Sequence, residues 1–135
     1  ALPRQMAIRL HDITDGTTST LLIAEQSDWC RDPTTGVKSD CRGDCAHGFP
    51  MGPGNDGWDR DFNIVSIQHR INNKDPNLFG VPGNCGPNRV IQSIHLGGAH
   101  VLLVDGSARF LNEAMPLNVL YNLCNRNDNN VLDDF

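Results

Sequence analysis

The chain has 135 residues, a formal net charge of -5, and a composition that is 39% hydrophobic but only 6% aromatic. That length fits a single domain able to bury a core. The acidic balance argues against nucleic acid or an anionic membrane as the main partner, because phosphate binding needs a basic stripe. With 13 Gly and 8 Pro, short strands joined by long loops fit better than a helix bundle. No run approaches the roughly 18 to 20 apolar residues that span a bilayer.

In chain order, the run 6–10 predicts a short strand ahead of a turn at Asp15-Gly16. Residues 21–25, Leu-Leu-Ile-Ala-Glu, read as a buried strand. The Thr/Ser cluster before them also suits the cap of a helix, but a short apolar run followed by a long loop favours the strand.

From residue 27 to 63 the sequence is mostly punctuation, with Asp32-Pro33, Gly36, Gly43, Gly48, Pro50, Gly52-Pro53-Gly54 and Asp56-Gly57. No long regular element fits there. A loop of this length needs cross-links or a task, and Cys30, Cys41 and Cys45 fall inside it. The β-branched stretch 62–71 predicts a further strand. A second loop, 72–88, holds Cys85, and 89–95 leads on to His95.

The strongest local signal is Asp105-Gly106 between two apolar-rich runs, 100–104 and 107–111. It predicts a β-hairpin closed by a type I′ turn, with positive φ at both central residues. The first run is apolar on both faces, as a strand buried beside a partner would be. Beyond it, Leu117, Leu120, Tyr121 and Cys124 lie at helical spacing behind Pro116, predicting a short amphipathic helix. The polar tail 125–135 predicts little order of its own.

Five cysteines, Cys30, Cys41, Cys45, Cys85 and Cys124, are many for this length. Without a C-x-x-C redox motif they suggest an exported protein with one or two disulfides. The odd count leaves one thiol free, paired to another chain, or bound to something. Zinc at Cys30, Cys41, Cys45 and His47 is the other use of these residues, and staples explain them more simply.

His95 and Asp105 form the sharpest chemical pair. They suit an acid–base couple or half a metal site if the chain folds back, and more simply a strand-to-turn tie with Asp105 as turn former. Asp56, Asp59 and Asp61 on a glycine-rich loop offer the hard oxygen ligands that calcium accepts, though not at EF-hand spacing. Trp29 and Trp58, on the same loop, suit either a sugar-stacking platform or anchors against the core. No hydrolase or phosphate-cradling motif is present.

His95, nine intervening residues and Asp105-Gly106, with 91–95 leading in, resemble the C-terminal signature of the prepilin-type, processing-associated H-X9-DG family of pseudopilin-like proteins. Residues 12–25, Asp-Ile-Thr-Asp-Gly-Thr-Thr-Ser-Thr-Leu-Leu-Ile-Ala-Glu, are similar to a second segment of that family. The resemblance implies no reaction. It implies a pseudopilin-like head whose anchoring N-terminal helix is missing, so that residues 1–135 would be one C-terminal domain of a longer precursor. It also implies calcium as a loop-ordering ion in distant relatives.

The expected fold is therefore α+β: mainly antiparallel sheet with a C-terminal hairpin, a short closing helix and long disulfide-braced loops. The expected function is a structural, non-enzymatic subunit of an exported pilus-like or secretion-associated filament or surface assembly, extracellular or at the cell surface. Its partners would be other copies, or an N-terminal helical segment covering the apolar face of the sheet. The alternative is an extracellular module holding calcium or a glycan on the loop 27–63.

Overall fold

The computed structural model describes residues 8–40, 42, 67–78, 90–130, 132 and 135. Their strands are β1 (Leu21–Ala24), β2 (Cys30–Arg31), β3 (Lys38–Ser39), β4 (Gly98–Leu103) and β5 (Ala108–Asn112), followed by one helix, α1 (Leu117–Cys124). The expected α+β class holds: β1, β4 and β5 form an antiparallel sheet in the order β1-β4-β5, and β2 and β3 pair as a separate small hairpin.

β4 is central because its sequence is apolar on both sides. Ala99, Val101 and Leu103 point into the core, and His100 and Leu102 lie on the opposite face. Across the ladder, Ala99 pairs with Leu111 and Val101 with Arg109, while His100 pairs with Phe110 and Leu102 with Ala108. Residues of one parity thus share one face of the sheet. α1 closes the core side, burying Leu120 and Leu123 beside Leu21, Ile71, Ile91 and Leu111. Tyr121, expected on the buried stripe, is 45% exposed. The helix is rotated so that Leu123, with Leu117 and Cys124 partly covered, completes the packing.

The hairpin forms where Asp105-Gly106 predicted it, but the turn differs. Gly106 N–H donates to the Leu103 carbonyl at 3.0 Å, and Leu103 N–H to the Ser107 carbonyl at 2.9 Å. Only Gly106 has positive φ, +88°. This is a three-residue loop, Val104-Asp105-Gly106, a type I turn followed by a glycine bulge. Asp105 keeps an ordinary φ because its carboxylate stabilises the turn from outside. Its Oδ1 accepts from Ser107 N–H at 2.8 Å and from Ser107 Oγ at 2.7 Å.

Three other expectations change. Residues 8 and 9 carry no strand, and Leu10–Asp12 form a 3-10 turn in which Asp12 Oδ2 accepts from Arg9 N–H at 2.8 Å. Of the expected strand 62–71, the described part, 67–71, carries no strand: it is irregular, with a bend at His69 and a turn beginning at Ile71. The tail also has order: the Asp128 and Asn129 amides donate to the two oxygens of Asp15 at 2.8 and 2.9 Å. Ser19 Oγ donates to the Leu132 carbonyl at 3.0 Å, and Arg109 lies over the Phe135 ring at 5.0 Å. Asp15 is 1% exposed, so its carboxylate is a buried anchor that a reading of the tail's own residues misses.

Candidate functional site

Glu25 ends the β1 segment next to β4, and its backbone and side chain both continue the ladder. Its N–H donates to the His100 carbonyl at 3.1 Å, and its Oε2 accepts from His100 N–H at 3.1 Å. The other oxygen, Oε1, accepts from Ser27 Oγ at 2.6 Å and lies 3.7 Å from His95 Nε2, an ion pair when that imidazole is protonated. The His95 and His100 rings meet edge to face at 5.1 Å, and His100 meets Phe110 at 5.0 Å. Burial pushes the Glu25 carboxyl up. The Ser27 and His100 hydrogen bonds and the two imidazoles outweigh it and leave the group below its ordinary value.

His95 is aimed by Ser93, whose Oγ accepts from His95 N–H at 2.9 Å and donates to the Gly98 carbonyl at 2.7 Å. Asn72, at φ +61°, braces the same corner. Its Oδ1 accepts from Ser93 N–H at 2.8 Å, and its Nδ2 donates to Glu113 Oε2 at 2.9 Å.

The predicted meeting of His95 with Asp105 does not occur. His95 sits before the start of β4 and Asp105 after its end. A six-residue strand, on the order of 20 Å long, separates them. Asp105 instead closes the far end: its N–H donates to the Thr17 carbonyl at 3.0 Å, and Val104 N–H to the Thr20 carbonyl at 2.9 Å. The hydrogen bonds from Ser107, side chain first and then backbone, hold the exposed Asp105 carboxyl below its ordinary value. The spacing between His95 and Asp105-Gly106 is thus the length of a strand plus its two ends. Each end fastens to the segment 17–25, through Thr17 and Thr20 on one side and Glu25 on the other.

Both Glu25 oxygens accept hydrogen bonds, Oε2 from the His100 amide and Oε1 from Ser27, so the carboxylate serves as an element of the ladder. Among the described residues, no three His, Cys, Asp or Glu are grouped to hold a metal ion. Glu25 and His100 escaped the sequence reading as partners of His95. The available signal was a carboxylate closing the apolar run 21–25.

Trp29 is 45% exposed, with the Arg42 guanidinium 5.3 Å from its ring centre. Asp40 orients that guanidinium through hydrogen bonds of 2.9 and 2.8 Å. Cys30 is disulfide-bonded. Cys124, counted among the disulfide candidates, is a free thiol, and its place beside the helix core pushes its pKa up to about 11. Asp56, Asp59, Asp61, Trp58, Cys41, Cys45 and Cys85 lie outside the described residues.

These features define a small α+β domain whose central strand is fastened at both ends to one N-terminal segment. The chain belongs to the family described as protein of unknown function DUF1559 (SBP_bac_10), whose model matches residues 1–118. No curated protein and no solved structure matches it. Among the described residues no helix is long and apolar enough to cross a membrane.

Proposed function

We propose that this domain is a structural, non-enzymatic subunit of an exported pilus-like or secretion-associated surface assembly, working through contacts between folded copies. The observation that carries the reading is a set of large apolar side chains left exposed on and beside the sheet. Ile94 and Leu96, which flank His95, are 75% and 99% exposed, and Ile23 and Phe110 on the strands are 40% and 45% exposed. The His95 and His100 rings, in contact with each other and with Phe110, bring the 94–96 segment beside that side of the sheet, and exposed apolar residues that share a side mark interaction surfaces more often than solvent faces. The disulfide at Cys30 supports an oxidising, extracytoplasmic location. The spacing of His95 and Asp105-Gly106 supports a pseudopilin-like head in particular.

Immunogold microscopy and shear fractionation of the native cells test this. The protein is expected in sheared, high-molecular-mass material, and Ile94→Asp with Leu96→Asp is expected to shift it to monomer at unchanged Tm. Recovery of the unaltered protein only as monomer would overturn the reading.

A second reading has one observation in its favour: Trp29, half exposed and braced by the Arg42–Asp40 pair, is the kind of ring on which a sugar stacks. Retention on a glycan array that disappears in Trp29→Ala would establish it, and no retention would remove it.

A further inference from the structure

The two most exposed large apolar side chains among the described residues, Ile94 and Leu96, sit on one turn, 94–97, just ahead of β4. The backbone of that turn is held near its two ends. His95 N–H donates to Ser93 Oγ at 2.9 Å, and the Gly97 carbonyl accepts from Glu113 N–H at 2.8 Å, with Gly97 at φ +86°. Of its side chains, His95 is the one that turns back. Its ring meets His100 edge to face at 5.1 Å, and its Nε2 lies 3.7 Å from Glu25 Oε1.

That separation is about half an ångström too long for a hydrogen bond, so a neutral imidazole gains little from the carboxylate, whereas a charged one is drawn onto it. Glu25 Oε1 accepts from Ser27 Oγ at 2.6 Å, and a carboxylate oxygen can accept a second bond. His100 meets Glu25 through its backbone N–H, while its ring lies against His95 and Phe110. Two imidazolium rings in contact repel, so a first proton on His95 opposes a second on His100. The other charged groups at this corner are matched elsewhere. Glu113 Oε2, beyond β5, accepts from Asn72 Nδ2 at 2.9 Å. Lys74 Nζ, which donates to the Ser93 carbonyl at 2.7 Å, is paired with Asp28 at 2.6 Å. From β5 the ring that packs here, Phe110, carries no charge.

We propose that His95 is a proton-operated latch: charged, it closes on Glu25 and fixes the turn that carries Ile94 and Leu96, and neutral, it leaves that turn to its backbone bonds. Histidine changes charge between about pH 5 and 8. Glu25 stays a carboxylate through that window, because its carboxyl is held below the ordinary value of 4.5. The latch therefore closes as pH falls through the window and opens again only where Glu25 itself takes a proton. His95 is half exposed, so the pair contributes too little to move a urea midpoint, and its effect is local to the turn. The latch belongs to a single chain. Its use, firming the contact between copies in mildly acidic surroundings, rests on the assembly reading.

Backbone amide relaxation by NMR, followed with the His95 ring resonances from about pH 8 to 5, tests it on the whole chain. The fast motion of residues 95–97 is expected to diminish as pH falls, with the same midpoint as the His95 ring. That response is expected to be lost in Glu25→Gln, whose amide oxygen can still accept from His100 N–H. It is also expected to be lost in His95→Gln, which touches no bond of the ladder. Glu113→Gln, the other carboxylate at the corner, is expected to keep it. A turn that moves alike at every pH, or a response that survives Glu25→Gln, overturns the proposal. Sedimentation across the same pH range reads the use, with association expected to strengthen as the ring gains its proton. Assemblies whose turn is indifferent to pH would defeat the latch and leave the assembly reading intact. A pH-dependent turn in a chain that never associates would sustain the latch and defeat that reading.

Discussion

At the scale of single residues, Gly98 and Asp15 each do something no other side chain could do in the same place. A Cβ on Gly98 would overlap the backbone carbonyl oxygen of Leu111, and the Phe110 ring lies over the same spot. The strand pair can approach this closely only where no side chain intervenes. Gly98→Ala is therefore expected to destabilise the domain by about 1–3 kcal/mol, read as a lower urea midpoint at an unchanged slope. Asp15 is the reverse case, a buried carboxylate retained because two tail amides need an acceptor. Asp15→Ala leaves both amides without one and is expected to lower stability by about 1–3 kcal/mol. It should also open residues 126–130 to proteolysis before the rest of the chain, which limited digestion with mass spectrometry would detect.

At the scale of elements, the parts legible in advance were those with a local cause. The hairpin announced itself through Asp-Gly, the helix through its spacing behind Pro116, and β1 through an unbroken apolar run. The turn type was misread because Asp-Gly serves two geometries. The one chosen keeps Val104 and Asp105 at negative φ, so only glycine takes the left-handed position. The tail was misread for a different reason. Its ordering groups, Asp15 and Ser19, lie at the other end of the chain, and no window of neighbouring residues contains them. The pairing of His95 failed in the same way. The sequence showed a histidine and an aspartate at fixed spacing, but the spacing measures a strand, and each end answers to a different residue of the segment 17–25. Glu25 could be found only by asking what faces the first residues of β4 across the ladder.

At the scale of the whole molecule, carboxylates used as acceptors tie separate segments together, which makes stability depend on acid in a defined direction. Glu25 joins β1 to β4. Asp28 is held below its ordinary value first by the hydrogen bond from Lys74 Nζ, 2.6 Å away, and links the β2 region to residue 74. Asp32 is held at about 2 by the Thr35 amide and the Asn77 side chain. Each group has a depressed folded-state pKa. Its contribution is complete above the unfolded values, 4.5 for Glu25 and 3.8 for Asp28, and drains away as pH falls through the folded ones. Urea midpoints measured from pH 7 downward are expected to hold level and then decline below about pH 4.5, continuing toward pH 2. Glu25→Gln is expected to shift the start of that decline to lower pH. A midpoint that rises on acidification would contradict the assignment.

The order of the strands has a consequence for how the protein is made. β1 leaves the ribosome well before the strand it must lie against, because residues 25–97 separate it from β4. Until that late segment emerges, Leu21 and its neighbours have nothing to pair with, and closing so large a loop is slow by its topology. Maturation of the sheet is thus a single late event. A translation product halted before residue 98 would carry an apolar strand with no place to go.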